Sequence, residues 1–232
     1  MSSLQKAEQI RSFYSTLFEA YGPQYWWPAK TRFEVIVGAY LTQNTSWKNV
    51  ERALVNLRQA GALNVKGIRE IDHKHLEQLL RPSGYFRQKA EHLKTFIGYL
   101  DTTYGGSLSR MFAQPTAQLR AELLELKGVG PETADSILLY AGGHPTFVVD
   151  VYTRRILDRH RILPFAAKYS ELKTLVEQAF AKEEPTQRTR CFNELHALIV
   201  AVGKNHCNTA AKCDGCPLQP FLINDNSELA HS

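Results

Sequence analysis

The fold of this chain is decided by one short stretch, Leu126-Lys127-Gly128-Val129-Gly130-Pro131-Glu132-Thr133-Ala134. The apolar run from residue 119 to 126 predicts a helix before the glycines. Gly128 and Gly130 permit the positive φ and the close backbone approach that a hairpin requires, and Pro131 suits the first turn of a new helix. Together these features predict a helix–hairpin–helix motif.

The start of the second helix is a candidate seat for a phosphate group. Backbone N–H groups at Gly130, Glu132 and Thr133 would lack partners within the helix, and helix N-termini bind anions for that reason. Sixteen residues after Ala134 stands a lone carboxylate, Asp150, at the start of another predicted helix. Asp150 could be an ordinary helix cap, but the pattern as a whole favours a functional carboxylate.

The composition is that of a globular protein with a mild basic excess. The chain has 232 residues, of which 44% are apolar, and a net charge of +5. This length permits one large domain or two small ones, and the charge suits a polyanionic partner. We find no apolar run of the roughly 18 to 20 residues that would span a bilayer and no secretory signal, so we expect a cytoplasmic protein without a membrane partner.

Hydrophobic residues recur at helical spacing along the chain. Residues 4 to 20, for example, carry Ile10, Phe13, Tyr14, Leu17 and Phe18 on one face. Alternating strand patterns of useful length and internal repeats are missing from the sequence. We therefore predict an all-α fold of about ten helices. The main predicted helices are residues 4–20, 33–41, 46–60, 87–104, 119–126, 150–159, 170–182 and 187–202.

The hairpin, the Gly/Pro-rich loop at residues 141–145 and Asp150 resemble the signature of the endonuclease III superfamily of DNA glycosylases. The resemblance covers most of residues 25 to 216. Within that superfamily the chain is most similar to 3-methyladenine DNA glycosylase III. The stretches that carry this similarity are Trp26-Trp27-Pro28, Leu41-Thr42-Gln43-Asn44-Thr45, Arg81-Pro82-Ser83-Gly84 and Glu132-Thr133-Ala134-Asp135.

This resemblance implies two helical domains with a DNA-binding cleft between them. One domain would comprise residues 31–134 and end in the helix–hairpin–helix. The other would comprise residues 1–30 and 135–232 and carry Asp150 and the C-terminal cysteines. The implied partner is double-stranded DNA that contains a damaged base, bound by a monomer.

Asp150 is the candidate catalytic residue. Glycosidic cleavage passes through an oxocarbenium-like sugar, which a fixed carboxylate can stabilise while it orients or deprotonates a water. The superfamily uses its matching Asp in this way. Members that also cut the strand carry a Lys two residues after the second hairpin glycine, and its amine forms a Schiff base. Glu132 stands there in this chain, and Lys127 matches a non-catalytic position, so we predict a monofunctional enzyme that leaves an abasic site.

All three tryptophans lie in stretches that resemble the glycosylase base pocket. Trp26, Trp27, Pro28 and Trp47 are therefore candidate base-binding residues, with packing in the core or at an interface as the alternative. Alkylation at N3 or N7 makes a purine cationic, and electron-rich aromatic faces attract a cation. Glu132 is grouped with this pocket, as a first-turn carboxylate that the helix dipole favours rather than as an acid catalyst.

Candidate DNA-binding residues surround the hairpin. Gln43 stands where the superfamily places a side chain that fills the gap left by a flipped base, although a Gln in a polar turn is often simply solvated. Lys89 belongs to a stretch that resembles a second superfamily signature, and it could meet a phosphate or lie on a solvated helix face. Backbone groups of Gly128, Gly130 and Thr133 complete the set.

The cysteines near the C-terminus depart from the superfamily pattern. The candidate metal ligands are Cys207, Cys213 and Cys216. The superfamily's 4Fe–4S loop uses four thiolates, and Leu222 stands where the fourth is expected. His206 or Cys191 could complete a cluster or a zinc site. The resembling family can lack the cluster, so a loop without metal is also consistent.

Three functions remain in competition. The leading one is a base-excision-repair glycosylase for alkylated purines such as 3-methyladenine. The second is an endonuclease III-type glycosylase and AP lyase that acts on oxidised pyrimidines. The third is a non-catalytic DNA-binding module that uses the hairpin only to hold phosphates. Replacement of Asp150 separates the enzymes from the module, because only an enzyme has base release to lose.

Overall fold

The computed structural model describes residues 1–26 and 29–222, and these residues form an all-α fold, as predicted. The helices are α1 (Ser3–Tyr21), α2 (Arg32–Leu41), α3 (Trp47–Gln59), α4 (Val65–Glu70), α5 (His73–Leu80), α6 (Phe86–Tyr104), α7 (Leu108–Met111), α8 (Thr116–Leu124), α9 (Pro131–Ser136), α10 (Val151–Arg159), α11 (Tyr169–Ala179) and α12 (Pro185–Asn205). Short 3₁₀ turns lie at Arg81–Ser83 and Gln219–Phe221, and a π-helical turn, Ile137–Gly142, continues α9. Within the described ranges, no helix has both the length and the apolar character that crossing a membrane requires.

The chain divides into two compact units. The first, which we call the hairpin unit, is Trp27–Pro145, and the second, the Asp150 unit, comprises Met1–Trp26 and Thr146–Ser232. The domain boundary predicted at residue 134 therefore falls too early. The π-helical turn beyond it buries Ile137 in the core of the hairpin unit, so the second hairpin helix belongs to that core as a whole.

The core of the hairpin unit is built around α2. Nearly every position of Phe33-Glu34-Val35-Ile36-Val37-Gly38-Ala39-Tyr40-Leu41 is apolar, so the helix is buried on all sides. The hydroxyl of Thr31 caps it by accepting from the Glu34 N–H at 3.1 Å. The buried Glu34 carboxylate pairs with Arg58 of α3 and accepts from the Lys30 N–H. These contacts join the N-terminal end of α2 to the last turn of α3.

The Asp150 unit is assembled from α1, α10, α11 and α12. The predicted stripe of α1 is buried at Ile10, Phe13 and Leu17, whereas Phe18 at its margin is exposed. α1 packs against α11 and α12, and α10 packs against α12. α12 is buried along most of its length and carries His196 into the interior of this unit.

Candidate functional site

The hairpin connects α8 to α9. The Val129 N–H donates to the Leu126 carbonyl at 3.0 Å and closes the turn. Gly128 has a φ of +82°, and a Cβ added there would lie 2.1 Å from Nδ1 of His92, so both conformation and space require glycine. Gly130 differs from the prediction. Its φ is −92°, and it caps α9 in an extended conformation with no heavy atom of the described residues within 4 Å of a built Cβ.

A side chain from the turn after α2 braces the hairpin. The Gln43 amide donates to the Gly128 carbonyl and to Thr133 Oγ1, both at 2.9 Å. Gln43 is half-buried and Thr133 is buried. The structure thus brings three of the predicted DNA-binding residues together, and it shows that Gln43 is bound to the hairpin rather than simply solvated.

The two interpretations of Lys89 both need correction. Its side chain is 3% exposed, and Nζ donates to the carbonyls of Leu41, Gln43 and Ser83 at 2.7 to 3.0 Å. Burial lowers the pKa of Lys89 to about 8. Because three carbonyls accept its three protons, Lys89 offers nothing to a phosphate and does not lie on a solvated face. It ties the turn after α2 to the turn before α6.

A buried ion pair joins the two hairpin helices. Asp135 of α9 is fully buried, and its oxygens accept from Nε and Nη2 of Arg120 in α8 at 2.8 and 3.1 Å. A bidentate pair of this kind fixes the relative geometry of the two helices. Glu132 lies on the exposed side of α9 in its first turn, where the helix dipole favours a carboxylate. The role of Asp135 was missed, although an acid and a base on the two hairpin helices were a usable signal.

A buried segment without helical structure, residues 146–149, leads to Asp150. The Phe147 N–H donates to Oε1 of Glu177 in α11 at 2.9 Å. The apolar side chains of this segment fill the core of the Asp150 unit. This hydrogen bond and the burial of residues 146–149 therefore fix the backbone where α10 begins, and with it the backbone of Asp150.

Asp150 is a helix cap and also a half-buried carboxylate beside an imidazole. Oδ1 accepts from the Thr153 N–H at 2.7 Å and from the Thr153 hydroxyl at 2.9 Å. Oδ2 accepts no hydrogen bond from the described residues and faces Nε2 of His196 at 3.8 Å. Burial lowers the pKa of His196, an effect that Asp150 opposes, so the imidazole is neutral at neutral pH. His196 was missed, because a His on an apolar helix face carries no functional signal in sequence.

Trp26 contacts His196 on the described side of this site. Its ring lies edge-on to His196, with the ring centroids 6.4 Å apart. Nζ of Lys204 lies 5.7 Å from the Trp26 ring centroid, within cation–π range. Asp150, His196, Trp26 and Lys204 thus form one continuous set of contacts within the Asp150 unit.

The other predicted base-binding residues have different settings. Trp47 belongs to the hairpin unit, where it begins α3 and packs partly against the core. Its Nε1 donates to Oε1 of Glu51 at 2.9 Å. Trp27 and Pro28 lie outside the described residues. Among the described tryptophans, Trp26 is therefore the one that contacts His196, and Trp47 is not part of that set of contacts.

The three C-terminal cysteines line one cavity of about 270 Å³. The lining also includes His206, Arg159, Lys212 and Leu222. Burial raises the pKa of Cys216, and the neighbouring Cys207 and Cys213 add to the rise. Cys191 lies in the buried face of α12 beside Gln187 and is not part of this lining.

These residues do not fit a four-thiolate cluster. Leu222, where a fourth ligand is expected, has no side-chain atom that can bind iron. Nowhere in residues 1–26 and 29–222 are three or more His, Cys, Asp or Glu side chains arranged to hold a metal ion. Protein hydrogen bonds close the loop instead: Arg159 donates to Cys207 Sγ at 3.0 Å and to the Asn208 and Thr209 carbonyls at 2.9 Å.

Residues 37–182, which include the hairpin and Asp150, match the HhH-GPD superfamily of base excision DNA repair proteins. The chain belongs to this superfamily, and it is a DNA glycosylase. The class predicted from the hairpin and the spaced aspartate is therefore confirmed.

Individual relatives agree with this assignment. A candidate DNA repair glycosylase of Methanocaldococcus jannaschii is 44% identical over 219 residues, which cover 94% of this chain and 97% of the relative. The structure of the H. pylori 3-methyladenine DNA glycosylase MagIII bound to 1,N6-ethenoadenine matches with a TM-score of 0.73 and 29% identity, covering 88% of this chain and 98% of that one. A non-covalent endonuclease III–DNA complex matches with a TM-score of 0.76 and 21% identity, covering 93% and 94%, which bears on the fold alone.

Proposed function

We propose that this glycosylase is monofunctional and hydrolyses the N-glycosidic bond of alkylated purines, such as 3-methyladenine, in double-stranded DNA. The observation that carries the proposal is the geometry of Asp150. Two bonds from Thr153 hold Oδ1, and they leave Oδ2 for the reacting sugar. A carboxylate fixed in this way needs no reorganisation when positive charge develops in the transition state.

Asp150 acts on the sugar and on the attacking water. As the bond between the base and C1′ lengthens, the deoxyribose gains oxocarbenium character, and Oδ2 stabilises that charge. The same carboxylate accepts a proton from the water that adds to C1′, so an abasic sugar with an intact strand remains. The neutral His196 beside Oδ2 adds no positive charge that would offset this carboxylate.

The amines near the hairpin support hydrolysis over Schiff-base chemistry. The position of the lyase amine is occupied by Glu132, which cannot form an imine. Nζ of Lys127 pairs with Oε1 of Glu91 at 2.8 Å. Nζ of Lys89 is buried under three carbonyls. Neither of these amines is presented as a nucleophile.

Aromatic contacts and the H. pylori relative support an alkylated purine as the substrate. A purine alkylated at N3 or N7 is cationic, and the face of an indole ring attracts cations. Trp26 already holds one cation in this way, the ammonium of Lys204. The H. pylori relative is named as a 3-methyladenine glycosylase and was solved with 1,N6-ethenoadenine. Because the cationic base is an activated leaving group, Asp150 can act without a partner acid.

The proposal is tested by following free base and strand integrity in the same samples of duplex DNA treated with a methylating agent. We expect release of methylated adenine, intact strands and no complex trapped by borohydride. Base release from DNA with oxidised pyrimidines, together with strand cutting, would instead establish the AP lyase alternative. Binding to all these duplexes without any base release would establish the non-catalytic module.

A gain-of-function variant sharpens the test of the monofunctional assignment. Glu132→Lys places an amine at the lyase position, and Glu132→Gln is its matched control without an amine. We expect a borohydride-trapped complex with abasic DNA for the Lys variant and none for the wild type or the Gln variant. Trapping of the wild type would contradict the proposal directly.

A further inference from the structure

The C-terminal loop contains a tight turn between two of its cysteines. In Cys213-Asp214-Gly215-Cys216 the Cys216 N–H donates to the Cys213 carbonyl at 3.0 Å, and Gly215 has a φ of +69°. A turn closed by this bond keeps its first and fourth α-carbons within about 7 Å of each other. Disulfides join α-carbons that are about 4.4 to 6.8 Å apart. The backbone therefore holds Cys213 and Cys216 at a spacing that a disulfide can bridge.

Both thiols are accessible from one cavity. Cys213 and Cys216 are free and half-buried, and both line the cavity of about 270 Å³. Arg159 and Lys212 also line it, and their positive charges favour the approach of an anionic reagent. The third thiol differs, because Cys207 is buried and its sulfur already accepts from Arg159 at 3.0 Å.

The 4Fe–4S cluster that the superfamily binds in this loop does not account for Cys213 and Cys216. The C-terminal loop provides three thiols, and the described residues contain no arrangement of side chains suited to a metal ion. The hydrogen bonds from Arg159 close the loop without one. Cys213 and Cys216 thus line an accessible cavity and are held close together by a turn, and metal binding does not explain either feature.

We propose that Cys213 and Cys216 form a redox-active dithiol that exchanges with low-molecular-weight disulfides such as glutathione disulfide. One protein thiolate attacks a sulfur of the reagent, which breaks the reagent's S–S bond and releases one thiol. The second protein thiolate then attacks the resulting mixed disulfide and displaces the other thiol. Two electrons pass from the protein to the reagent, and two molecules of reduced glutathione leave.

The full-length chain is treated with glutathione disulfide, and its intact mass, alkylatable thiols and peptide map are compared before and after treatment. We expect a loss of two hydrogens, protection of two thiols and a peptide that links Cys213 to Cys216. The matched control Cys191→Ala should behave as the wild type. Cys213→Ser and Cys216→Ser should each retain one glutathione as a stable adduct, because the displacing thiol is gone.

The wild-type peptide map is decisive even if a serine variant fails to fold. Four thiols that stay alkylatable under conditions that oxidise a small dithiol would overturn the proposal, and so would a bridge to Cys207. Iron or zinc that copurifies near one equivalent per chain and is lost from Cys213→Ser would overturn it as well, by restoring a metal role. None of these results depends on base release, so the proposed function stands or falls separately.

Discussion

Two helices of this molecule begin with an aspartate that does the same local job in different surroundings. Asp72 caps α5 by accepting from the His75 N–H at 3.0 Å, and Asp150 caps α10 by accepting from the Thr153 N–H at 2.7 Å. Asp72 is exposed, and backbone hydrogen bonds, first from His75, lower its pKa. Asp150 is half-buried, receives a second bond from the Thr153 hydroxyl, and faces buried His196. The local pattern makes a cap, and only the surroundings make a candidate catalytic group.

We expect the largest effect on base release when the charge of one of these two capping aspartates is removed. Asp150→Asn keeps a capping oxygen but removes the negative charge, so we expect base release from methylated DNA to fall by about 100-fold or more. Asp72→Asn makes the same chemical change at the exposed cap and should leave base release unchanged. Single-turnover rates of the two variants measure the difference, with DNA affinity and thermal unfolding recorded alongside.

The two aspartates would have the same role if both variants lost activity equally. Equal loss would mean that the cap, through stability, and not the charge of Asp150 supports base release. Retained activity in Asp150→Asn with unchanged folding would remove Asp150 from the chemistry and direct attention to other carboxylates.

A second matched pair lies in the hairpin, where two glycines have different conformations. Gly128→Ala must adopt a φ of +82° and place its Cβ 2.1 Å from His92, so we expect a loss of about 2 kcal/mol in the free energy of unfolding. Gly130→Ala has a φ of −92° and open space, and should lower stability by less than about 1 kcal/mol. Urea unfolding of both variants measures this, and equal losses would contradict the structure of the turn.

Removal of the Thr153 hydroxyl should have a smaller effect on base release. No hydrogen bond of this kind is made to Asp72 by the described residues. Thr153 is fully buried, and its hydroxyl donates to Oδ1 of Asp150 at 2.9 Å. Thr153→Val removes that donor at nearly constant shape, so we expect base release to slow by about 3- to 10-fold, equivalent to about 1 kcal/mol. Thr153→Ser keeps the hydroxyl and should stay within about twofold of the wild type. A Val variant as active as the Ser variant would show that the backbone bond alone positions Asp150.

The smallest effect is a change in pH dependence that comes from His196. Its folded pKa lies below the ordinary value of 6.5 because the ring is buried. As the pH falls, the unfolded chain therefore binds the proton first, so His196 lowers stability below about pH 6.5 and has no such effect above it. Once protonated in the folded protein, it would also place a cation beside Asp150 and slow base release.

This pH effect is isolated by comparing the wild type with His196→Gln, which cannot titrate. Burial also lowers the pKa of His144 and His160, but both residues are present in the two proteins and cancel in the difference. We expect the acid side of the profiles of base release and unfolding free energy to flatten in the variant. If the pH profiles of the two proteins superimpose, protonation of His196 affects neither base release nor stability.

Elements with a short-range signal were predicted well, and those without one were missed. The apolar stripe of α1 and the cap at Asp150 follow from spacing over a few residues. α7, Leu108–Met111, spans only one turn and has no period to detect. α11 ends at Ala179, earlier than the predicted residue 182, because helix ends carry weaker signals than helix interiors.

The errors at the site have a common cause. Lys89 was assigned to a phosphate or to solvent, yet its ammonium is enclosed by carbonyls from two distant turns. Gly130 was expected to share the positive φ of Gly128, but the capping position of α9 requires extended backbone. The partners of Lys89 come partly from a distant turn, and the conformation of Gly130 depends on where α9 begins, so the residue type alone decided neither.

Short-range signals in the sequence are enough to specify the helical class, the hairpin, the helix that Asp150 begins and the superfamily to which these belong. Such features depend on periodicity, glycine conformation and capping bonds, all of which act between residues a few positions apart. Only the tertiary contacts place His196 against Asp150 and bury Lys89 beneath the carbonyls of Leu41 and Gln43. These contacts join residues far apart in the chain, so their partners and burial follow only once the helices have packed.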